Sequence, residues 1–196
     1  MEFQDVVRRR RMVRNFEERP VPLDALDRIL DNARRAPSAG FSQGWAFLVL
    51  QGPEQTRRFW DACEPETGSA LGNWPGIRRA PLIVVPLSNK GAYLDRYAET
   101  DKGWSDRDES RWPAPYWDID TGFASLLMLL TAVDAGLGAL FFGVRRIEDL
   151  RAAFGVPPAY HPIGAIAIGY PLPDTPSPSL KRGRRPREDV VHMGTW

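Results

Sequence analysis

Cysteine is almost absent from this chain. The lone thiol, Cys63, rules out an internal disulfide and any multi-thiolate metal centre. Histidine is nearly as scarce. His161 and His192 are the two in 196 residues, and neither sits in a metal-like or triad-like neighbourhood. No G-x-G-x-x-G, no Walker loop and no C-x-x-C occurs. No metal site is expected, and the usual hydrolytic constellations are missing. An enzyme built from this chain would need a bound cofactor to supply the reactive atoms.

A surplus of charge is missing too. The formal net charge is +1. Binding to a phosphate backbone ordinarily needs a large positive field, so nucleic acid is not an expected partner. The longest apolar run, Ile119 to Val144, is interrupted by Asp120, Asp134, Gly136 and Gly138. A spanning helix needs about 20 nearly uninterrupted apolar residues, so the run reads as a buried helix, a turn and a strand, with no membrane span. The start of the chain has no apolar h-region. No secretory signal is expected, and a cytoplasmic location fits the near-absence of cysteine.

What is present suits one globular domain over 1–196. Hydrophobic residues are 43% and charged residues 26%. Leu23, Leu26, Leu30 and Ala33 recur at helical spacing behind Pro22, and Pro37 closes that helix. Trp45–Leu50 reads as a strand, Glu54–Cys63 as an amphipathic helix, and Ala80–Ser88 as a buried strand. Residues 118–136 form the strongest helix. It is apolar on nearly every face, which predicts burial all round, in the domain's centre or at a subunit interface. ALFFG predicts a strand, IEDLRAAFG a helix and PIGAIAIGY a further strand. After Tyr170 the chain is rich in proline and arginine and predicts an extended tail over 170–196. Alternation of helices and strands gives an α/β or α+β class.

Three segments stand out for function. Arg8, Arg9, Arg10, Arg11 and Arg14 crowd the head, and KRGRRPR, Lys181–Arg187, crowds the tail. A solvated charged face is one reading; a cradle for a polyanion, closed from both chain ends, is another. APSAGFSQGW offers Ser38, Ser42 and Gln43 between Gly40 and Gly44, either a plain turn or a close-approach loop for a flat heterocycle. The stretch 93–117 holds Tyr93, Tyr97, Trp104, Trp112, Tyr116 and Trp117 without clear periodicity. That is the mark of a lid, or of an irregular insert packed for stability. Asp118 and Asp120 read as a carboxylate pair or, more simply, as helix caps.

RRMVRNF, then LDRILDNARRAPSAGFSQGWAFLVL, then DTGFASLLMLLTAVDAGLGALFFG, then the arginine- and proline-rich end, together resemble the FMN-dependent nitroreductase family. The likeness spans nearly the whole chain in order. It implies an α+β, three-layer α/β/α sandwich around a mostly antiparallel sheet, a homodimer joined through its long helix, and FMN at the interface. By position, Arg10, Arg11 and Arg14 match the family's flavin-binding head, with Arg10 on the phosphate and Arg14 near the pyrimidine edge, where it would stabilise charge on the flavin. Met12 stands where the family usually has serine. Ser38, Ala39, Gly40 and Gln43 would line the flavin from the partner subunit. Phe41 replaces the usual asparagine and Gly44 the usual proline. Phe141, Phe142 and Gly143 match the strand whose backbone approaches the ring, and Arg182 and Arg184 match the tail that closes on the phosphate. The implied activity is ping-pong hydride transfer from NAD(P)H through FMN to a small electron-poor acceptor such as a nitroaromatic or quinone. A flavin store or sensor with little turnover is the alternative. Met12 also argues against the chemistry of flavin-fragmenting relatives, which carry aspartate there.

Overall fold

A computed structural model of the chain describes residues 1–63 and 73–196. The chain opens with helix α1, Phe3–Arg9, then runs extended to helix α2, Leu23–Ala33. Strand β1, Trp45–Gln51, leads into helix α3, Pro53–Cys63. Strand β2, Leu82–Ser88, is followed by helix α4, Lys90–Ala98, and the long helix α5, Tyr116–Asp134. Strand β3, Gly138–Phe142, helix α6, Ile147–Phe154, the short strand β4, His161–Pro162, and strand β5, Ala165–Gly169, complete the body.

The sheet runs β1-β2-β5-β3, with β4 on β2, and every ladder is antiparallel. Side chains alternate across a strand, so each one feeds two cores. Ile83, Val85 and Leu87 of β2 face the core built with Phe59, Trp60 and Leu150; Leu82 and Val84 face the one built with Ile29, Met128 and Ala132. α3 and α6 thus cover one face and α2 and α5 the other, the three layers that the family resemblance implies. β2 is buried along its whole length because both faces are covered. Each fully buried Ile or Leu contributes about 2 kcal/mol.

Two expectations need amendment. PIGAIAIGY is not one strand. A side chain at Gly164 would meet the Phe141 ring at 2.5 Å and the Phe142 carbonyl at 2.8 Å, and the ladder breaks there into β4 and β5. Nor is α5 buried all round in one chain, because Ile119, Phe123 and Leu126 remain exposed. Its polar buried residues are satisfied locally: the Thr121, Ser125 and Thr131 hydroxyls donate to the carbonyls of Trp117, Thr121 and Leu127 at 2.7, 2.8 and 2.8 Å.

Candidate functional site

The head segment leaves α1 and lies along the edge of the sheet. Met12 bridges Ala139 in parallel fashion, and the Val13 amide donates to the Ala139 carbonyl at 3.0 Å. Gly138 opposite must be glycine, since a Cβ there would meet Val13 Cγ2 at 2.7 Å. The chain's other end is stitched to the same segment. Asp174, whose side chain is 6% exposed, accepts from Arg11 Nη1 and from the Arg14 amide, both at 2.6 Å. Arg14 donates to the Met12 carbonyl at 3.1 Å, and its guanidinium lies over the Trp74 ring at 5.0 Å. Trp74 in turn donates from Nε1 to the Thr175 carbonyl. Arg14 is therefore fixed on an aromatic face, while Arg10 is half-buried at the end of α1. A cleft of about 200 Å³ next to this junction is lined by Arg9, Arg11, Val13, Gly136, Gly138 and Pro171 among others.

Ser38–Gln43 is a tight, strained turn. Gly40, Phe41 and Gln43 all take positive φ, at 60°, 57° and 48°. A bulky residue there is a rare conformation that surrounding structure must enforce. The enforcement is visible. The Ala39 amide donates to Asp120 Oδ2 at 2.8 Å, and Arg96 Nε donates to the Gly40 carbonyl at 2.9 Å. The Gln43 amide donates to Ser38 Oγ at 3.0 Å, and Ser42 Oγ donates to the Ala39 carbonyl at 2.6 Å. Tyr97 lies so close that a Cβ on Gly40 would sit 2.6 Å from its ring, and Tyr93 does the same to Gly44 at 2.5 Å.

Asp120 is the centre of this arrangement. Its Oδ2 also accepts from the Tyr93 hydroxyl at 2.8 Å, and the residue is 2% exposed. No cationic side chain pairs with it among the described residues. Burial, then the hydrogen bond and charge of Asp120, push the Tyr93 hydroxyl pKa far above the usual tyrosine value, so it stays a donor. The expectation that Asp118 and Asp120 cap a helix fails. α5 begins at Tyr116, with both residues already inside it, and Asp118 instead accepts from Ser88 Oγ at 2.6 Å.

The aromatic segment is a packed insert rather than an open loop. α4 occupies its first part, and Trp112 sits at the hub, 4.5 Å from Tyr97, 5.5 Å from Trp104, 5.8 Å from Tyr116 and 5.9 Å from Tyr93 between ring centroids. Arg96 holds both the insert and the turn, because its Nη1 and Nη2 donate to Asp101 at 2.7 Å each.

Of the other expected site residues, Phe142 turns its ring into the core, stacked on Trp60 at 5.4 Å, so any ligand could meet only its backbone. Phe141 packs beside Gly164, and a Cβ on Gly143 would meet nothing within 4 Å, which leaves room beside the end of β3. Arg182 and Arg184 lie in a tail in which every residue from 178 to 196 is exposed. Among the described residues the hydrogen bonds of 178–196 reach no further back than Ser177, as from Arg185 Nη2 to the Asp189 carbonyl at 2.7 Å. One chain thus brings Arg10–Arg14 to β3 and joins Ala39 and Gly40 to α4 and α5, but does not bring Arg182 or Arg184 onto either. Arg96 and Asp174 were not singled out from sequence, and the joint role of Asp120 and Tyr93 in holding the turn was not read there. A carboxylate at a buried position of a mostly apolar helix was the one signal for the role of Asp120, since a buried polar group demands partners.

Known proteins resemble this chain over nearly its whole length. A relative from Methanothermobacter thermautotrophicus, provisionally named NADH dehydrogenase/NAD(P)H nitroreductase, is 27% identical over 200 residues, covering 100% of this chain and 88% of its own. An iodotyrosine deiodinase from Nematostella vectensis is 29% identical over 198 residues, covering 97% and 74%. A solved structure from Exiguobacterium sibiricum 255-15, provisionally a nitroreductase and in complex with FMN, superposes with a TM-score of 0.74 at 21% identity, covering 98% of this chain and 97% of that one. The family model described as the nitroreductase family matches residues 7–170, most of the sequence, and the chain belongs to that family.

Proposed function

We propose that two copies of this chain bind FMN between them and use it to carry a hydride from NAD(P)H to a small electron-poor acceptor such as a nitroaromatic or quinone. The chain is an NAD(P)H-dependent oxidoreductase of the nitroreductase family, and FMN is its cofactor. The residues fit that group. Guanidinium forks at Arg10 and Arg11 suit phosphate oxygens. The open space at Gly143 suits a flat ring against the strand end. Ser38, Gly40 and Gln43 supply small and polar contacts from the strained turn of the second copy, and Ala39 helps to set its backbone. When bound, FMN supplies the hydride-accepting ring atom, so donor and acceptor bind in turn at one face. Arg14, anchored over Trp74, places a fixed positive charge where the ring gains negative charge. Arg182 and Arg184 close over the phosphate from the tail.

The observation that carries the reading is the incompleteness of one chain. Leu180, Val190, Val191, Met193 and Trp196 are exposed along the tail, and Ile119, Phe123 and Leu126 recur at helical spacing on an uncovered face of α5. Phe3 and Val7 of α1 are exposed as well. Such apolar surface is what a homodimer buries. The test is spectroscopic. The purified protein should be a yellow dimer whose flavin absorbance bleaches anaerobically with NADH or NADPH and returns on adding a nitroaromatic. A yellow protein that neither donor bleaches would be a flavin store or sensor, and a colourless one would refute the cofactor assignment.

A further inference from the structure

We infer that Phe41 is a specificity-determining residue whose outward-facing ring is a stacking platform for flat, electron-poor aromatic acceptors. The inference rests on the proposed function above and narrows its substrate class. Phe41 is 74% exposed, so its ring gains little from burial within the chain. Its φ of 57° is nevertheless one that bulky side chains avoid. Glycine would adopt the same backbone without strain. A residue that is strained and largely unburied is kept for something outside the chain's own packing.

The surroundings hold the position rather than the ring. The Phe41 amide donates to the Ser38 carbonyl at 2.9 Å. On one side Asp120 and Arg96 grip Ala39 and Gly40, and on the other Ser38 Oγ grips Gln43. Beneath the turn, the Tyr97 ring fills the space that a Cβ on Gly40 would need. The contrast with the insert is sharp. Tyr93, Tyr97, Trp104 and Trp112 pack against one another edge-on or tilted, and Lys102 and Arg111 lie over the rings of Tyr97 and Trp104. Phe41 has no ring partner among the described residues. An aromatic face carries a negative quadrupole, and a nitro-substituted or quinonoid ring carries the opposite polarity at its centre. Face-to-face offset stacking then favours such acceptors over aliphatic or ionic ones.

The test uses the FMN-bound protein and the variants Phe41→Gly and Phe41→Tyr. Affinity for a nitroaromatic is read by its perturbation of the oxidised flavin spectrum. It should weaken about tenfold in Phe41→Gly and change less than about twofold in Phe41→Tyr. The ratio of kcat/KM for the nitroaromatic to that for ferricyanide should fall by the same factor in Phe41→Gly. The Tm of Phe41→Gly should equal or exceed that of the parent, because strain is released. Unchanged nitroaromatic affinity overturns the inference. So does a lowered Tm with dissociation of the dimer, which would make Phe41 an interface residue, or loss of FMN, which would make it a cover for the flavin. If neither nicotinamide reduces the parent protein, the proposed function fails by itself, while the binding titration still decides the role of Phe41.

Discussion

The turn Ser38–Gln43 and the arginines of head and tail are both candidate contacts for one ligand, yet one chain completes only the first. The turn is gripped by Asp120, Arg96, Tyr93 and Tyr97, all from α4 and α5. The arginines are divided. Arg11 and Arg14 are tied to Asp174 and Trp74, whereas Arg182 and Arg184 lie on an exposed tail. The difference separates two tasks. Orienting a ring needs a rigid backbone, prepared before binding. Holding a phosphate needs charge delivered from several directions, and in the proposed dimer a second copy would supply the missing one.

Breaking the rigid half should have the largest effect. Asp120→Ala strands the buried Tyr93 hydroxyl and the Ala39 amide together. The expected loss is about 3 kcal/mol of unfolding free energy, the cost of leaving two donors without acceptors. Urea denaturation checks it. Tyr93→Phe removes only one of the two bonds and should cost less than half as much. Equal costs for the two variants would mean that Asp120 does not hold the turn.

The two halves were also unequally legible from the sequence. Most strands and helices followed from periodicity, because β2 and β5 are continuous apolar runs and α5 has helical length, whereas α1 and α4 were not read. The arginines of the head were visible as a charge run, and their relation to FMN came through family resemblance rather than through spacing. The clamp was not legible. Asp120 meets Ala39 across 81 residues and Tyr93 across 27, and no local pattern announces a carboxylate that grips a remote amide. The positive φ of Phe41 and Gln43 was equally hidden, since side-chain identity at those positions argues against it. Tertiary contacts with Tyr97 and Arg96 override that local preference.

Breaking the charged half should matter mainly through the ligand. Arg10→Ala combined with Arg184→Ala should give a colourless protein that still folds. Without bound FMN it loses the stabilisation that mass action supplies, about 2 kcal/mol when ligand stands well above its Kd. Added free FMN should restore the parent's Tm only at much higher concentration. Full flavin occupancy in the double variant would place the phosphate elsewhere.

The smallest effect sharpens the comparison by loosening the clamp from outside. Asp101 accepts two bonds from Arg96, and that hydrogen bonding holds its carboxyl below the ordinary value of 3.8. A lowered folded-state pKa means the contact stabilises the protein above the ordinary carboxyl value and is lost as pH falls through the lowered one. Arg96 should therefore keep its grip on the Gly40 carbonyl down to pH 3.8 and slacken only below it. Trp104, whose ring lies 4.9 Å from that of Tyr97, reports the change through its emission. Asp106 and Asp108 titrate low in the same insert, through bonds to Arg111 and Ser110, so acid alone does not isolate Asp101. Asp101→Asn does. It should shift Trp104 emission at neutral pH towards the acid spectrum of the parent while Asp120 still holds Ala39. An emission spectrum identical to the parent's at neutral pH would show that the bond to Gly40 fixes Arg96 without help from Asp101.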